Sequence, residues 1–188
     1  MRTVVFDIET SNFEFTPNPA DMTISVVGTW DSETDSYRCF EQKEFPELWK
    51  ILEKTDLLVG FNSEHFDIPI LNKYYPGDLT KIRSLDLMAE LYAVLGRRIR
   101  LDAIAEGTLG EKKIGHGSQA HQWWSQGLYD KVKEYCLKDV ELTKRIFDHA
   151  LKNGGIRYKE LGKTLDIKLD TSNWLSTSNA ALTHTLGF

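Results

Sequence analysis

The chain sets short apolar runs between longer stretches of helical periodicity. Its first run, Val4-Val5-Phe6-Asp7-Ile8-Glu9-Thr10, is apolar apart from two carboxylates one residue apart and the closing threonine. It predicts a buried strand, and side chains on a strand alternate between its faces. Asp7 and Glu9 therefore project together, while Val4, Phe6 and Ile8 point the other way into apolar packing. Residues 11–21 read as a loop rich in Asn and Pro, with Phe13 and Phe15 inside it. Residues 23–30 and 36–40 predict two more strands, joined by Asp31-Ser32-Glu33-Thr34-Asp35 into an antiparallel hairpin. Residues 45–54 predict a helix, with Leu48, Ile51 and Leu52 on one side and Pro46 in the first turn. Leu57-Leu58-Val59-Gly60-Phe61 is a continuous apolar run, the mark of a central strand. A second helix then opens at Ser63 or Glu64 and runs to residue 74.

Residues 81–85 predict a further strand, followed by Asp86, placed to cap a helix over 87–95. A short helix over 101–106 is expected to stop at Gly107, before a Gly- and Lys-rich loop over 108–117. Trp123 and Trp124 fall on a helix of their own. Residues 128–151 carry the strongest helical stripe: Leu128, Val132, Cys136, Val140, Thr143 and Phe147. Asn153-Gly154-Gly155 ends it, and 156–160 with 165–169 read as a hairpin before a polar tail. Strands interleaved with helices after an opening meander predict an α/β fold with a mixed sheet. The chain has 188 residues and shows no repeat, linker or composition break. One domain over 1–188 is expected, with a core over about 1–152 and a C-terminal extension over 153–188.

Composition narrows the class without naming a reaction. Hydrophobic content of 41% and charged content of 27% are ordinary for a soluble globular chain. No apolar run approaches the roughly 20 residues that span a bilayer, so no membrane association is expected. Met1-Arg2 leads straight into a strand, which is unlike a signal peptide. Cys39 and Cys136 stand far apart in sequence without zinc spacing, which predicts a reducing, cytoplasmic setting and Cys136 as core filling. The formal charge of −5 counts against a nucleic-acid binder at first sight. If four of the acids hold divalent cations, that objection disappears.

Two adjacent carboxylates at a strand end repel each other and cost desolvation energy. A hard divalent cation between them removes both problems; two ordinary acids entering solvent are the other reading of Asp7 and Glu9. A second cluster is Gly60-Phe61-Asn62-Ser63-Glu64-His65-Phe66-Asp67-Ile68-Pro69. It places Asn62 at the C-terminal edge of a strand, where open α/β sheets bind ligands, and Asp67 in the first turns of a helix. The third is Tyr135-Cys136-Leu137-Lys138-Asp139, whose Tyr135 and Asp139 stack on one helix face. Each has a plainer role open to it. Asp67 suits a helix N-terminus, Tyr135 suits a half-buried aromatic, and Asp139 is within reach of Lys138 or Arg145. The occurrence of all three, in order and at positions able to converge, favours one shared pocket.

On these motifs the chain resembles the DEDD superfamily of 3′–5′ exonucleases, which have a ribonuclease H-like fold. Asp7 and Glu9 match the first motif, Asn62, Phe66 and Asp67 the second, and Tyr135 with Asp139 the tyrosine form (DEDDy) of the third. The histidine form would need His at position 134, where Glu134 stands. The second and third motifs are similar to the proofreading domain of family B DNA polymerases. The resemblance covers about residues 1–150 and implies an α/β, ribonuclease H-like mixed five-stranded sheet flanked by helices. With no polymerase palm or fingers before the chain stops at 188, a stand-alone exonuclease domain is expected.

The resemblance implies that Asp7, Glu9, Asp67 and Asp139 hold two Mg²⁺ or Mn²⁺ ions about 4 Å apart. It implies a metal-activated water, a charge-neutralised leaving 3′ oxygen, and release of nucleoside 5′-monophosphates. Tyr135 is expected to orient the water, because an ordinary tyrosine is a poor base at neutral pH. Thr10, Asn62 and Phe66 are the expected contacts to the terminal nucleotide. Phe66 and Phe13 are candidates to stack on bases, a contact of roughly 1–3 kcal/mol each, with a core position equally open to Phe66. Arg97, Arg98, Arg100, Lys112 and Lys113 are candidate phosphate contacts or solvated charges. Trp123 and Trp124 read as packing, and the five histidines lack metal spacing. The expected substrate is the 3′ end of single-stranded DNA, with RNA as the alternative because the motifs do not choose between them. A non-catalytic nucleic-acid-binding module is the rival of another class; the presence of all four carboxylates argues against it. Recombination, DNA repair and RNA turnover are all compatible pathways.

Overall fold

In the computed structural model, which describes residues 1–12, 18–111 and 117–176, the opening run is a central strand. The strands are β1 (Thr3–Thr10), β2 (Ile24–Asp31), β3 (Ser36–Glu41), β4 (Leu57–Gly60) and β5 (Ser84–Asp86). They form one sheet in the order β3-β2-β1-β4-β5. The β1–β2 and β2–β3 pairs are antiparallel, while β1–β4 and β4–β5 are parallel. The expected mixed five-stranded sheet is therefore present, with β1 at its centre.

The helices are α1 (Phe45–Leu52), α2 (Asp67–Leu71), α3 (Leu87–Leu95), α4 (Leu101–Leu109), α5 (Gly117–Ser125) and α6 (Tyr129–Asn153). Strand alternation sorts the core into two layers. Val4, Phe6, Ile8 and Leu58 pack with Phe45, Leu48 and Leu52 of α1 and Ile68, Ile70 and Leu71 of α2. Val5, Leu57 and Val59 face the other way, onto Val140, Ile146 and Phe147 of α6 and Ile104 of α4. Both faces are covered by helices, which is why β4 reads as a continuous apolar run.

Local chemistry accounts for the departures from the sequence pattern. The helix expected from residue 63 to 74 shortens to α2, because residues 63–66 are turns and Phe66, at φ −123° and ψ −67°, lies outside the helical region. The strand expected over 81–85 is confined to β5, because residues 79–81 form a 3-10 turn capped by Asp78, which accepts from the Thr80 amide. Gly107 does not stop its helix. α4 continues to Leu109, and Gly110, with φ 73°, is the residue that ends it. Gly107 answers a different need: a Cβ there would stand 2.5 Å from the Tyr158 Cα, so only glycine admits this close approach.

The C-terminal hairpin, β6 (Gly155–Glu160) and β7 (Lys163–Lys168), turns through Leu161 and Gly162, both with positive φ. Thr108 fastens it to α4, donating through Oγ1 to the Arg157 carbonyl and accepting from the Arg157 amide at 2.9 Å. Ile156, Tyr158 and Ile167 join the same core as α6, and Trp174 stacks on Phe147 at 5.8 Å between centroids. Among the described residues, no helix is long and apolar enough to cross a membrane.

Candidate functional site

Asp7 and Glu9 leave β1 on the face that meets α6, as the alternation requires. One carboxylate oxygen from each of Asp7, Glu9 and Asp139 lies within 4.8 Å of the others. Glu9 is 8% exposed and Asp139 4%, so this is no solvated acidic surface. Hard oxygen donors gathered at this spacing fit a divalent cation such as Mg²⁺ or Mn²⁺. Without one, three carboxylates meet at close range with Glu9 and Asp139 buried, which disfavours all three being ionised together.

The close pass of α6 depends on Gly28 of β2, which pairs with Asp7. A Cβ on Gly28 would meet Cys136 Sγ at 2.9 Å and Val140 Cγ2 at 3.1 Å. Cys136 uses the space, and its thiol donates to the Asp7 carbonyl at 3.4 Å. Burial above all, then its contact with Cys39 and the Asp7 charge, pushes the Cys136 thiol well above its ordinary pKa. It is core filling, as read, although Cys39 is its neighbour in space.

Tyr135 lies one turn before Asp139 on the same buried face. Its ring meets Trp123 edge-on, at 5.7 Å between centroids. α5 is tied over the end of β1 by His121, whose Nδ1 donates to the Ser11 carbonyl at 2.6 Å. Lys138 and Arg145 pair with Glu111 and Glu141 on the outer side of α6, while Asp139 is turned inward.

Asp67 stands outside the three-acid cluster. Its Oδ1 accepts from the Ile8 amide at 3.0 Å, on the strand between Asp7 and Glu9. Burial pushes its pKa up to about 7, and the charges of Asp86 and Asp139 add to the rise against the Ile8 hydrogen bond. Asn62 is left-handed at the end of β4, and its Oδ1 is buried without a hydrogen-bond donor among the described residues. Thr10 follows a register shift in β1, and its Oγ1 donates to the Asn12 carbonyl at 2.8 Å. Phe66 is half-buried against the α1 and α2 core.

The basic candidates divide. Arg97 pairs with Glu160 and Arg100 with Asp102, whereas Arg98 is an exposed side chain. Phe13, Phe15, Lys112, Lys113, His116 and His184 lie outside the described residues. Sequence reasoning missed Gly28, for which a glycine inside a strand is itself a signal of close backbone approach. It also read Asp86 only as a helix cap, whereas Asp86 accepts from the Asn62 and Glu64 amides as well.

The fold occurs in the family B DNA polymerase of the hyperthermophilic archaeon Pyrobaculum calidifontis, with a TM-score of 0.61 and 21% identity. That similarity covers 80% of this chain but 24% of the polymerase chain, and at this identity it speaks for the fold alone. No curated protein matches the chain. The RNase_H superfamily family model matches residues 4–151, from β1 to the last turns of α6 and so through Asp7, Glu9, Asp67 and Asp139; the chain belongs to the RNase H superfamily.

Proposed function

We propose that the chain is a metal-dependent 3′–5′ exonuclease of the tyrosine-type DEDD group. Its substrate is the 3′ end of single-stranded DNA, its product a nucleoside 5′-monophosphate, and its setting the cytoplasm. One observation carries the reading: acids from the two ends of the core, Asp7 and Glu9 on β1 and Asp139 on α6, meet within 4.8 Å.

Asp7, Glu9 and Asp139 hold the metal, with Asp67 as a fourth carboxylate beside β1, for two Mg²⁺ or Mn²⁺ ions in all. Bound there, the ions supply the positive charge that acidifies a water and neutralises a leaving 3′ oxygen. Tyr135 orients that water through its hydroxyl, one turn from Asp139. Asn62 offers its Oδ1 acceptor to the terminal nucleotide. Thr10 flanks the same nucleotide at the end of β1, and Phe66 presents its exposed part to the base. Residues 1–152 carry this machinery within a single domain over 1–188, to which the hairpin adds a buttress.

The deciding experiment digests 5′-labelled single-stranded DNA, duplex DNA and RNA side by side, with Mn²⁺ and with chelator. Stepwise shortening of the DNA single strand, stopped by chelator, is the expected result. Faster shortening of RNA would make the enzyme an exoribonuclease. Binding without shortening at high enzyme would make it a non-catalytic module.

A further inference from the structure

β5 ends at Asp86, which is 3% exposed and caps α3. An ordinary cap satisfies amides of its own helix. Asp86 does this with Oδ1, which accepts from the Met88 amide at 2.9 Å. The same oxygen also accepts from the Asn62 amide at 2.7 Å, and Oδ2 accepts from the Glu64 amide at 3.1 Å. Two of its three hydrogen bonds therefore leave the helix and reach the turn that follows β4. The parallel pairing of β4 with β5 sets Gly60 opposite Asp86 and makes that reach short.

What Asp86 grips is a left-handed turn. Asn62 is held at φ 63°, a region that residues with side chains rarely adopt. Both bonds run to a carboxyl group that is itself buried, and together they tie two amides of the turn to one side chain. The far end of the turn is held as well, since Asp67 follows it and binds the Ile8 amide. Between the two anchors, the Asn62 backbone is committed to the protein while its buried Oδ1 has no donor among the described residues.

We infer that Asp86 is a positioning residue: its grip on the Asn62 and Glu64 amides fixes the left-handed turn that presents the Asn62 side chain to the terminal nucleotide. The nature of the ligand rests on the exonuclease reading; the grip itself rests on the hydrogen bonds alone.

Asp86→Ser weakens the grip more than the cap, because serine offers Met88 a common capping oxygen but brings one oxygen where the carboxylate brings two to three amides. Three readouts are needed: thermal unfolding, amide hydrogen exchange at Asn62 and Glu64, and affinity for a fluorescent DNA single strand in chelator, alongside kcat and KM with Mn²⁺. The variant should fold, exchange both amides faster, bind about tenfold more weakly and show a KM raised by about tenfold, the worth of one good hydrogen bond, with a smaller fall in kcat. Asn62→Ala should lose a similar factor, and Asp86→Ser added to it should cost little more. Unchanged amide exchange with wild-type KM, or losses that simply multiply in the double variant, would overturn the inference. If Asp86→Ser fails to fold, Asp86→Asn keeps one acceptor oxygen and should show the same exchange and KM effects at smaller size; wild-type values there overturn it equally. A wild-type protein that neither binds nor cuts nucleic acid would defeat the exonuclease reading instead, and amide exchange would still decide the grip.

Discussion

The amide of Ile8 donates to Asp67 Oδ1 at 3.0 Å, so a side chain occupies the place of a missing strand neighbour. β4 pairs with β1 only from Thr3 to Val5, and β1 runs on alone along that edge. Asp67 satisfies a backbone donor that would otherwise be buried and unpaired. It does so while burial, Asp86 and Asp139 lift its pKa from 3.8 to about 7.

That lift sets a pH dependence for the metal-free protein. A carboxyl with a higher pKa folded than unfolded takes up a proton on folding between the two values. The stability linked to it is full below 3.8 and is lost as pH rises through about 7. In chelator, the midpoint of thermal unfolding should therefore fall as pH rises across that window and level off above it. Asp67→Asn should flatten the fall, because the amide cannot ionise. A variant curve as steep as the wild type would assign the dependence to another group.

The three-acid cluster gives an opposite pair of effects. Asp7→Ala removes one of three crowded carboxylates, so in chelator the variant should unfold at the wild-type temperature or above it. The same change should abolish turnover. Mn²⁺ at about 100 times its Kd should stabilise the wild type by about 2.7 kcal/mol, and that gain should vanish in Asp7→Ala. Calorimetry with and without Mn²⁺ checks both signs. Near wild-type turnover in Asp7→Ala would remove Asp7 from the metal site.

What was legible in the chain and what was not divides along physical lines. The faces of β1 and α6 follow from periods of 2 and 3.6, so Asp7, Glu9, Tyr135 and Asp139 were readable on their elements. Asp86 was readable as a cap because capping is local. Its bonds to Asn62 and Glu64 were not, because they depend on the pairing of β4 with β5. Gly107 resembled a helix stop because glycine is a poor helix former. Its purpose lies in Tyr158, on a hairpin distant in sequence. The docking of α5 through His121 and Ser11 likewise left no periodic trace.

Tyr135 tests the chemistry apart from the metal. Its hydroxyl is the only atom removed by Tyr135→Phe, and the ring's edge-on contact with Trp123 is retained. The variant should keep its unfolding temperature and its stabilisation by Mn²⁺. Its single-turnover rate should drop by about 10²–10⁴, the range for a group that positions or transfers a proton. An unchanged rate would leave Tyr135 a packing residue.

Gly28→Ala tests whether the approach of α6 to the sheet sets the site. The new Cβ would meet Cys136 Sγ at 2.9 Å and Val140 Cγ2 at 3.1 Å, so the helix must retreat or its side chains must turn. Overpacking of this kind costs about 1–3 kcal/mol. Retreat would also carry Asp139, one turn beyond Cys136, away from Asp7 and Glu9. A displacement near 1 Å can cost about 10²-fold in rate. Cys136→Ala should make room for the added methyl, so Gly28→Ala with Cys136→Ala should be more stable and more active than Gly28→Ala alone. Denaturant unfolding and single-turnover rates on all four proteins close the cycle. If the two substitutions prove merely additive in both measurements, the contact between Gly28 and Cys136 does not set the distance at which the acids meet.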